Sequence, residues 1–149
     1  MFDLALQYTR YLPAMFGAQP MNAITHSADA EKVLMIPGYG LSSWALQDVG
    51  NGIHRAGMDV TYGNFSWQNS RGIEGIMEDI SRQLHALMKD GSTPHIVTHS
   101  LGGPILLETL EVMPNARVGS IHLITPPHKG IEDISNITPS QVITDMRKK

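Results

Sequence analysis

One serine of this sequence stands in a setting that is typical of a nucleophile. In His95-Ile-Val-Thr-His-Ser-Leu-Gly-Gly103 a short apolar run ends at Ser100, and a helical pattern begins at once. A strand–turn–helix of this kind projects the hydroxyl out of the sheet and places the first helical N–H groups beside it, where they can stabilise a developing negative charge. Ser and Gly are also common in ordinary turns, so the interpretation of Ser100 as a nucleophile depends on the rest of the chain.

Two other segments with unusual residues also follow apolar runs. Pro37-Gly-Tyr-Gly40 comes directly after the run 33–36, and Thr125-Pro-Pro-His-Lys-Gly130 ends the run 118–125. In open parallel sheets, functional sites lie beyond the carboxyl ends of the strands. We therefore expect these two segments to lie close to Ser100.

The apolar periodicity predicts strands alternating with helices. Strands are predicted at 33–36, 58–62, 95–99 and 118–125, and helices over 41–56, 73–88 and 101–113. This alternation predicts an α/β fold, a mostly parallel sheet between two layers of helices in a three-layer sandwich. Residues 1–149 are interpreted as a single domain, in which 1–30 form a helical and loop extension and 131–149 have no clear period.

The composition limits the class of protein. With 149 residues, 42% hydrophobic and 17% charged, the chain is expected to fold around a real core. A net charge of −3 gives no electrostatic reason to expect nucleic acid as a partner. The chain has no cysteine, which excludes disulfides and cysteine-based metal sites, and its histidines lack metal-ligand spacing, so no metal or cofactor is predicted. The N-terminus has no convincing signal peptide and no transmembrane segment, which favours a cytoplasmic location.

Taken together, the three segments resemble the α/β-hydrolase superfamily, and within it the lipases and esterases. The segment 33–40 is similar to the strand and oxyanion loop that commonly ends in His-Gly, with Pro37 in place of His. Thr98-His-Ser-Leu-Gly102 resembles the nucleophile elbow Gly-x-Ser-x-Gly, with Thr98 replacing the first Gly. Ile124-Thr-Pro-Pro-His-Lys-Gly130 is similar to the Thr-Pro-His-x-Gly segment of many lipases, with one additional Pro.

The resemblance implies a serine hydrolase that acts on carboxylic esters, either small molecules or lipids. Ser100 would be the nucleophile, and the backbone N–H groups of Tyr39 and Leu101 would form the oxyanion hole. Tyr39 could also line an acyl pocket with Trp44 and Trp67, although these aromatic residues could equally belong to the core. Two alternatives stay open: a non-catalytic binding or partner module with the hydrolase fold, and an acyltransferase or thioesterase that uses the same serine.

The remaining triad residues cannot be placed in this sequence. The order expected for this fold is Ser, then Asp or Glu, then His. After Ser100 the only acids that precede a histidine are Glu108 and Glu111, and they lie on a helix that runs away from the serine. His128 is the candidate for a substitute base, although a surface position is also compatible with it.

We expect the chain to be a fragment of a longer hydrolase, cut soon after the strand 118–125. Residues 131–149 would then begin a lid or cap segment, and the uncovered edge of the sheet could favour self-association. The alternative is a short protein that is inactive alone because the triad acid and histidine are missing.

Overall fold

The structure is a computed structural model that describes residues 25, 28–67 and 70–126. Four parallel strands form one sheet in the order β2-β1-β3-β4. The strands are β1 (Lys32–Ile36), β2 (Asp59–Tyr62), β3 (His95–His99) and β4 (Ile121–Ile124). The α/β class with a parallel sheet is confirmed.

Three helices connect the strands. A 3-10 turn at Ser43–Leu46 leads into α1 (Gln47–Arg55), α2 is Gly72–Met88, and α3 is Gly102–Glu111. The predicted helices are therefore confirmed to within a few residues at their ends. Gly57 follows the C-cap of α1, where its φ of +96° favours glycine, and its N–H donates to the His54 carbonyl at 2.8 Å.

The core lies on both faces of the sheet. In β1, Leu34 and Ile36 pack with α2 and α3 on one face, whereas Val33 and Met35 pack toward the 3-10 turn and α1 on the other. All four side chains are at least 98% buried, so β1 is covered on both sides as its continuous apolar run predicts. Each such side chain stabilises the fold by about 2 kcal/mol relative to an exposed one.

The last strand is shorter than the sequence predicts. The pattern favours a strand over 118–125, but the ladder with β3 covers only Ile121–Ile124. Within the described part of the chain β4 lies at the edge of the sheet, and Leu123 is 40% exposed there. An edge strand pairs on one side only, which accounts for its mixed sequence and shorter ladder.

Several predicted segments cannot be compared with the structure. Residues 1–24 and 127–149 lie outside the described residues, and with them nearly all of the N-terminal extension, the lid or cap segment and His128. None of the described helices is both long and apolar enough to cross a membrane.

Candidate functional site

Ser100 lies in a strained turn between β3 and α3. Its φ is +50°, which is rare for a residue with a side chain and costs about 1–3 kcal/mol. The turn is held by two backbone hydrogen bonds: the Ser100 N–H donates to the Ile124 carbonyl at 2.9 Å, and the Gly103 N–H donates to the Ser100 carbonyl at 3.1 Å. The sheet and the helix together thus fix the serine at the carboxyl ends of the strands, here called the carboxyl edge of the sheet.

The loop that follows β1 lies directly against this serine. A Cβ atom built on Gly38 would lie 3.0 Å from Ser100 Cβ and 2.7 Å from Nδ1 of His99, so only glycine allows the observed approach. The loop then turns tightly, because the Leu41 N–H donates to the Gly38 carbonyl at 3.1 Å and Gly40 has a φ of +69°. Tyr39 lies at the centre of that turn, adjacent in sequence to the glycine that contacts Ser100.

The paired glycines after Ser100 bring α3 close to the sheet. A Cβ on Gly102 would lie 2.7 Å from the carbonyl oxygen of Pro37 and 3.0 Å from that of Ile36. A Cβ on Gly103 would be 3.3 Å from Oγ1 of Thr98. The start of the helix is therefore seated on the end of β1, with Leu101 immediately before it and 1% exposed. The partial positive charge of a helix N-terminus thus lies next to the serine.

The third segment approaches the same place. The Cβ of Pro126 lies 3.5 Å from a Cβ built on Gly103, and Thr125 has a φ of +45°. The described start of this segment therefore lies with Pro37–Gly40 and Ser100–Gly103, as its position after β4 predicts. His128 is outside the described residues.

Within the described part of the chain, two polar side-chain atoms beside the serine are buried without a hydrogen-bond partner. They are Oγ1 of Thr98, on a residue that is fully buried, and Nδ1 of His99. Burial lowers the pKa of His99, so its imidazole is neutral at neutral pH. His99 thus packs as a neutral ring against Gly38.

An aromatic cluster flanks the Gly38–Leu41 turn. The rings of Tyr39 and Trp67 meet edge to face with centroids 5.5 Å apart, and Phe65 meets Trp67 in the same manner at 5.4 Å. The expected grouping of Tyr39 with Trp67 is present, whereas Trp44 is 39% exposed on the 3-10 turn. Phe65 is missed by the sequence analysis, although its place two residues before Trp67 is a usable signal.

The other histidines that the structure describes lie on elements or at strand positions away from this turn. His54 and His85 are on α1 and α2, His95 begins β3 at the opposite edge of the sheet, and His122 is in β4. Glu108 and Glu111 are on α3. Among the residues that the structure describes, no group of three or more His, Asp or Glu side chains could hold a metal ion.

Comparisons with known proteins show a similarity in fold to solved structures. No protein-family model matches the sequence, and no curated protein matches it either. Two structures of phospholipase PlaB from Legionella pneumophila are similar to this chain, one of them in complex with thio-NAD. They have TM-scores of 0.59 (with thio-NAD) and 0.58, at 13% and 16% identity. A structure of the metagenome-derived lipolytic enzymes LipS and LipT is similar with a TM-score of 0.57 at 18% identity.

These similarities cover most of this chain and a minor part of the others. They span 77–79% of this chain but 31%, 32% and 47% of the solved chains, so the sequence corresponds to less than half the length of each. These neighbours agree with the fold class that the strand order and the helices on both faces of the sheet indicate. The chain therefore shares the α/β-hydrolase fold with these structures, over part of their length.

Proposed function

We propose that this chain carries the nucleophile of a serine hydrolase that acts on carboxylic esters. Ser100 is the nucleophile, and the N–H groups of Tyr39 and Leu101 form the oxyanion hole. The observation that carries the proposal is the contact between Gly38 and Ser100 at a serine with a φ of +50°. Strain of this kind persists where the surrounding structure fixes it, and it concentrates at active sites.

In the proposed reaction, Ser100 Oγ attacks the ester carbonyl carbon. The carbonyl oxygen gains negative charge and is stabilised by donors from the Gly38–Leu41 turn and from the start of α3. A base must accept the serine proton, and a third residue must orient that base. We place both outside the described residues, with His128 as the candidate base within this chain.

The choice of ester follows from the fold neighbours. The neighbours are described as a phospholipase and as lipolytic enzymes, which supports esters, including lipid esters, as the substrate class. Acyl transfer and thioester hydrolysis use the same serine geometry and differ in the acceptor or the leaving group. A matched set of p-nitrophenyl esters and acyl thioesters, compared by kcat/KM, separates these reactions.

A fluorophosphonate probe tests the nucleophile. The expected result is covalent labelling of the folded protein at Ser100, read from the tryptic peptide 90–117, and this labelling is lost in Ser100→Ala. Ser81→Ala is the matched control, because Ser81 lies on α2 and its substitution should leave labelling unchanged. Folded protein that remains unlabelled would contradict the proposal and favour a non-catalytic binding module.

A further inference from the structure

A second serine lies in a polar cluster at the amino ends of the strands, here called the amino edge of the sheet. Oγ of Ser120 is 2.7 Å from Nδ1 of His95, and Nε2 of the same imidazole is 3.9 Å from Oε1 of Glu31. Hydroxyl, imidazole and carboxylate thus follow one another in the order that activates a serine. The hydroxyl–imidazole contact is at hydrogen-bond distance, and the imidazole–carboxylate contact is at ion-pair distance.

The strand register brings these residues together. Ile96 of β3 is paired with Ile121 of β4, so the residues just before them, His95 and Ser120, lie side by side. Gly119 makes room for the ring, because a Cβ there would lie 2.7 Å from Cε1 of His95. The site is open to substrate, since the side chains of His95 and Glu31 are 29% and 66% exposed.

The proton positions of this chain of contacts can be assigned consistently. The Ser120 hydroxyl donates to Nδ1 of His95, and Nε2 then carries the ring proton at 3.9 Å from the Glu31 carboxylate. A second imidazole, that of His122, has its Nε2 at 2.9 Å from Ser120 Oγ and can donate to the remaining lone pair of the oxygen. We propose that Ser120 is a second nucleophile, with His95 as general base and Glu31 as a positioning residue.

A shallow groove beside His95 indicates the substrate. It is lined by Ala28–Lys32, Gly91–Thr93 and Asp90, which are small or polar residues, so a long acyl chain finds no apolar wall there. The Lys32 ammonium is already paired with Asp90 and donates to the Leu87 carbonyl at 3.3 Å. Asp29 and Glu31 therefore give the groove a negative charge. The substrate class is a short-chain carboxylic ester that is neutral or cationic.

The proposed reaction is acyl transfer to Ser120 followed by hydrolysis. Ser120 Oγ forms a bond to the carbonyl carbon while its proton passes to Nδ1 of His95. The tetrahedral intermediate then breaks the bond to the alkoxide, which leaves with that proton as an alcohol. Water attacks the acyl-serine in the same way and releases the carboxylic acid.

Acetylation by p-nitrophenyl acetate tests this proposal in the Ser100→Ala variant. Trypsin separates the two serines, because Ser100 lies in the peptide 90–117, whereas the peptide 118–129 contains Ser120 as its single serine. We expect an acetyl group on Ser120, located by fragmentation mass spectrometry. His95→Gln should slow this acetylation at least about 100-fold, the usual contribution of a general base.

Matched variants separate catalysis from structure. His85→Gln removes another exposed histidine, one whose Nδ1 contacts the Ser81 carbonyl of its own helix, and should leave the rate unchanged. Glu31→Gln should slow acetylation several-fold, because the ion pair is exposed, and it keeps the test valid if His95→Gln fails to fold. The pH dependence of the rate should differ between the parent and His95→Gln, because only the parent has a general base at this position.

Two outcomes would overturn the second nucleophile. They are an unmodified 118–129 peptide in folded protein, and equal rates in the parent, His95→Gln and Glu31→Gln. The result is independent of the proposed function, because Ser120 is tested in Ser100→Ala, whereas the reactivity of Ser100 is read in the parent from the peptide 90–117. If only one of the two serines reacts, the modified peptide shows which one it is.

Discussion

The two edges of the sheet hold their serines in different ways. At the carboxyl edge the backbone is strained at Ser100 and Thr125. Polar side-chain atoms are buried there without a hydrogen-bond partner among the described residues, in Ser42, Tyr62, Trp67, Thr98 and His99. At the amino edge the polar side chains are paired, as in Lys32 with Asp90 and His95 with Ser120. One serine is fixed by the main chain, and the other by side chains.

This difference separates the two requirements of a serine nucleophile. The carboxyl edge provides a fixed hydroxyl position and nearby backbone donors, but the histidine there, His99, is half-buried and packs against Gly38. The amino edge provides an imidazole and a carboxylate, but its serine has no strained turn. Strain and unpartnered polar groups cost stability, and a fold retains them where function requires them. Four sets of variants test whether the two edges differ in this way.

The largest effect is expected where glycine permits a backbone contact. Gly102→Ala should lower the free energy of unfolding by about 3 kcal/mol, because the new Cβ would meet two carbonyl oxygens that cannot move aside. Gly52→Ala is the control: it lies in α1 with nothing within 4 Å of a built Cβ, and it should raise stability by about 0.5–1 kcal/mol. Urea unfolding measures both, and equal effects would contradict the packing described for α3.

Replacing each serine by glycine should change stability in opposite directions. Ser100→Gly should raise the free energy of unfolding by about 1 kcal/mol, because glycine relieves the strain of a φ of +50°. Ser120→Gly should lower it by about 1–2 kcal/mol, because two imidazole contacts are lost and the unfolded chain gains freedom. Thermal unfolding distinguishes the two, and a loss of stability in Ser100→Gly would show that the turn is not strained.

Two fully buried threonines test the cost of an unpartnered hydroxyl. Thr98→Val should raise stability by about 1 kcal/mol, because the hydroxyl that it removes has no partner. Thr109→Val should lower stability by a similar amount, because its hydroxyl donates to the Ile105 carbonyl at 2.7 Å. Chemical denaturation of both variants checks the pair, and a destabilised Thr98→Val would reveal a bond to its hydroxyl.

The smallest effect is a difference in pH dependence between the edges. The pKa of His99 is lowered by burial, so the folded state binds fewer protons than the unfolded state, and stability is lost as the pH falls below about 6.5. His99→Phe should lose less stability than the parent between pH 7.5 and 5. The pKa of Asp90 is lowered by its hydrogen bond from Lys32. The stability that this contact contributes is therefore lost only below about pH 4. Unfolding curves across pH would contradict this if both proteins lost stability equally above pH 5.

The elements were predictable from sequence because local patterns determine them. The strand 95–99 matches the prediction at both ends. The apolar stripe of α2 and the glycine after α1 allow the ends of these two helices to be predicted closely. The extent of β4 was not predictable, because it depends on which residues of β3 it pairs with. An edge strand carries a weaker signal in its sequence than a strand that is buried on both faces.

The candidate site was predictable only in outline. Ser100 and the loop at Gly38 follow from residue types after two strands, and the rule for carboxyl ends places them together. The contacts of Gly38 with His99, and of Gly102 with Pro37, depend on distances of a few tenths of an ångström that no periodicity contains. The pairing of Ser120 with His95 depends on strand register, and neither residue lies in a recognisable motif.

The strand order also determines when Ser100 can acquire its surroundings during folding. Strand β1 lies between β2 and β3, and its partners in β3 follow it by about 60 residues along the chain. Contacts between such distant segments form slowly, because a long loop must close first. On a ribosome, β1 and its glycine loop are synthesised well before the β3 that they must meet. The geometry around Ser100 is therefore among the last features to form, and a variant that slows β1–β3 pairing prolongs the time during which both strands are exposed to aggregation.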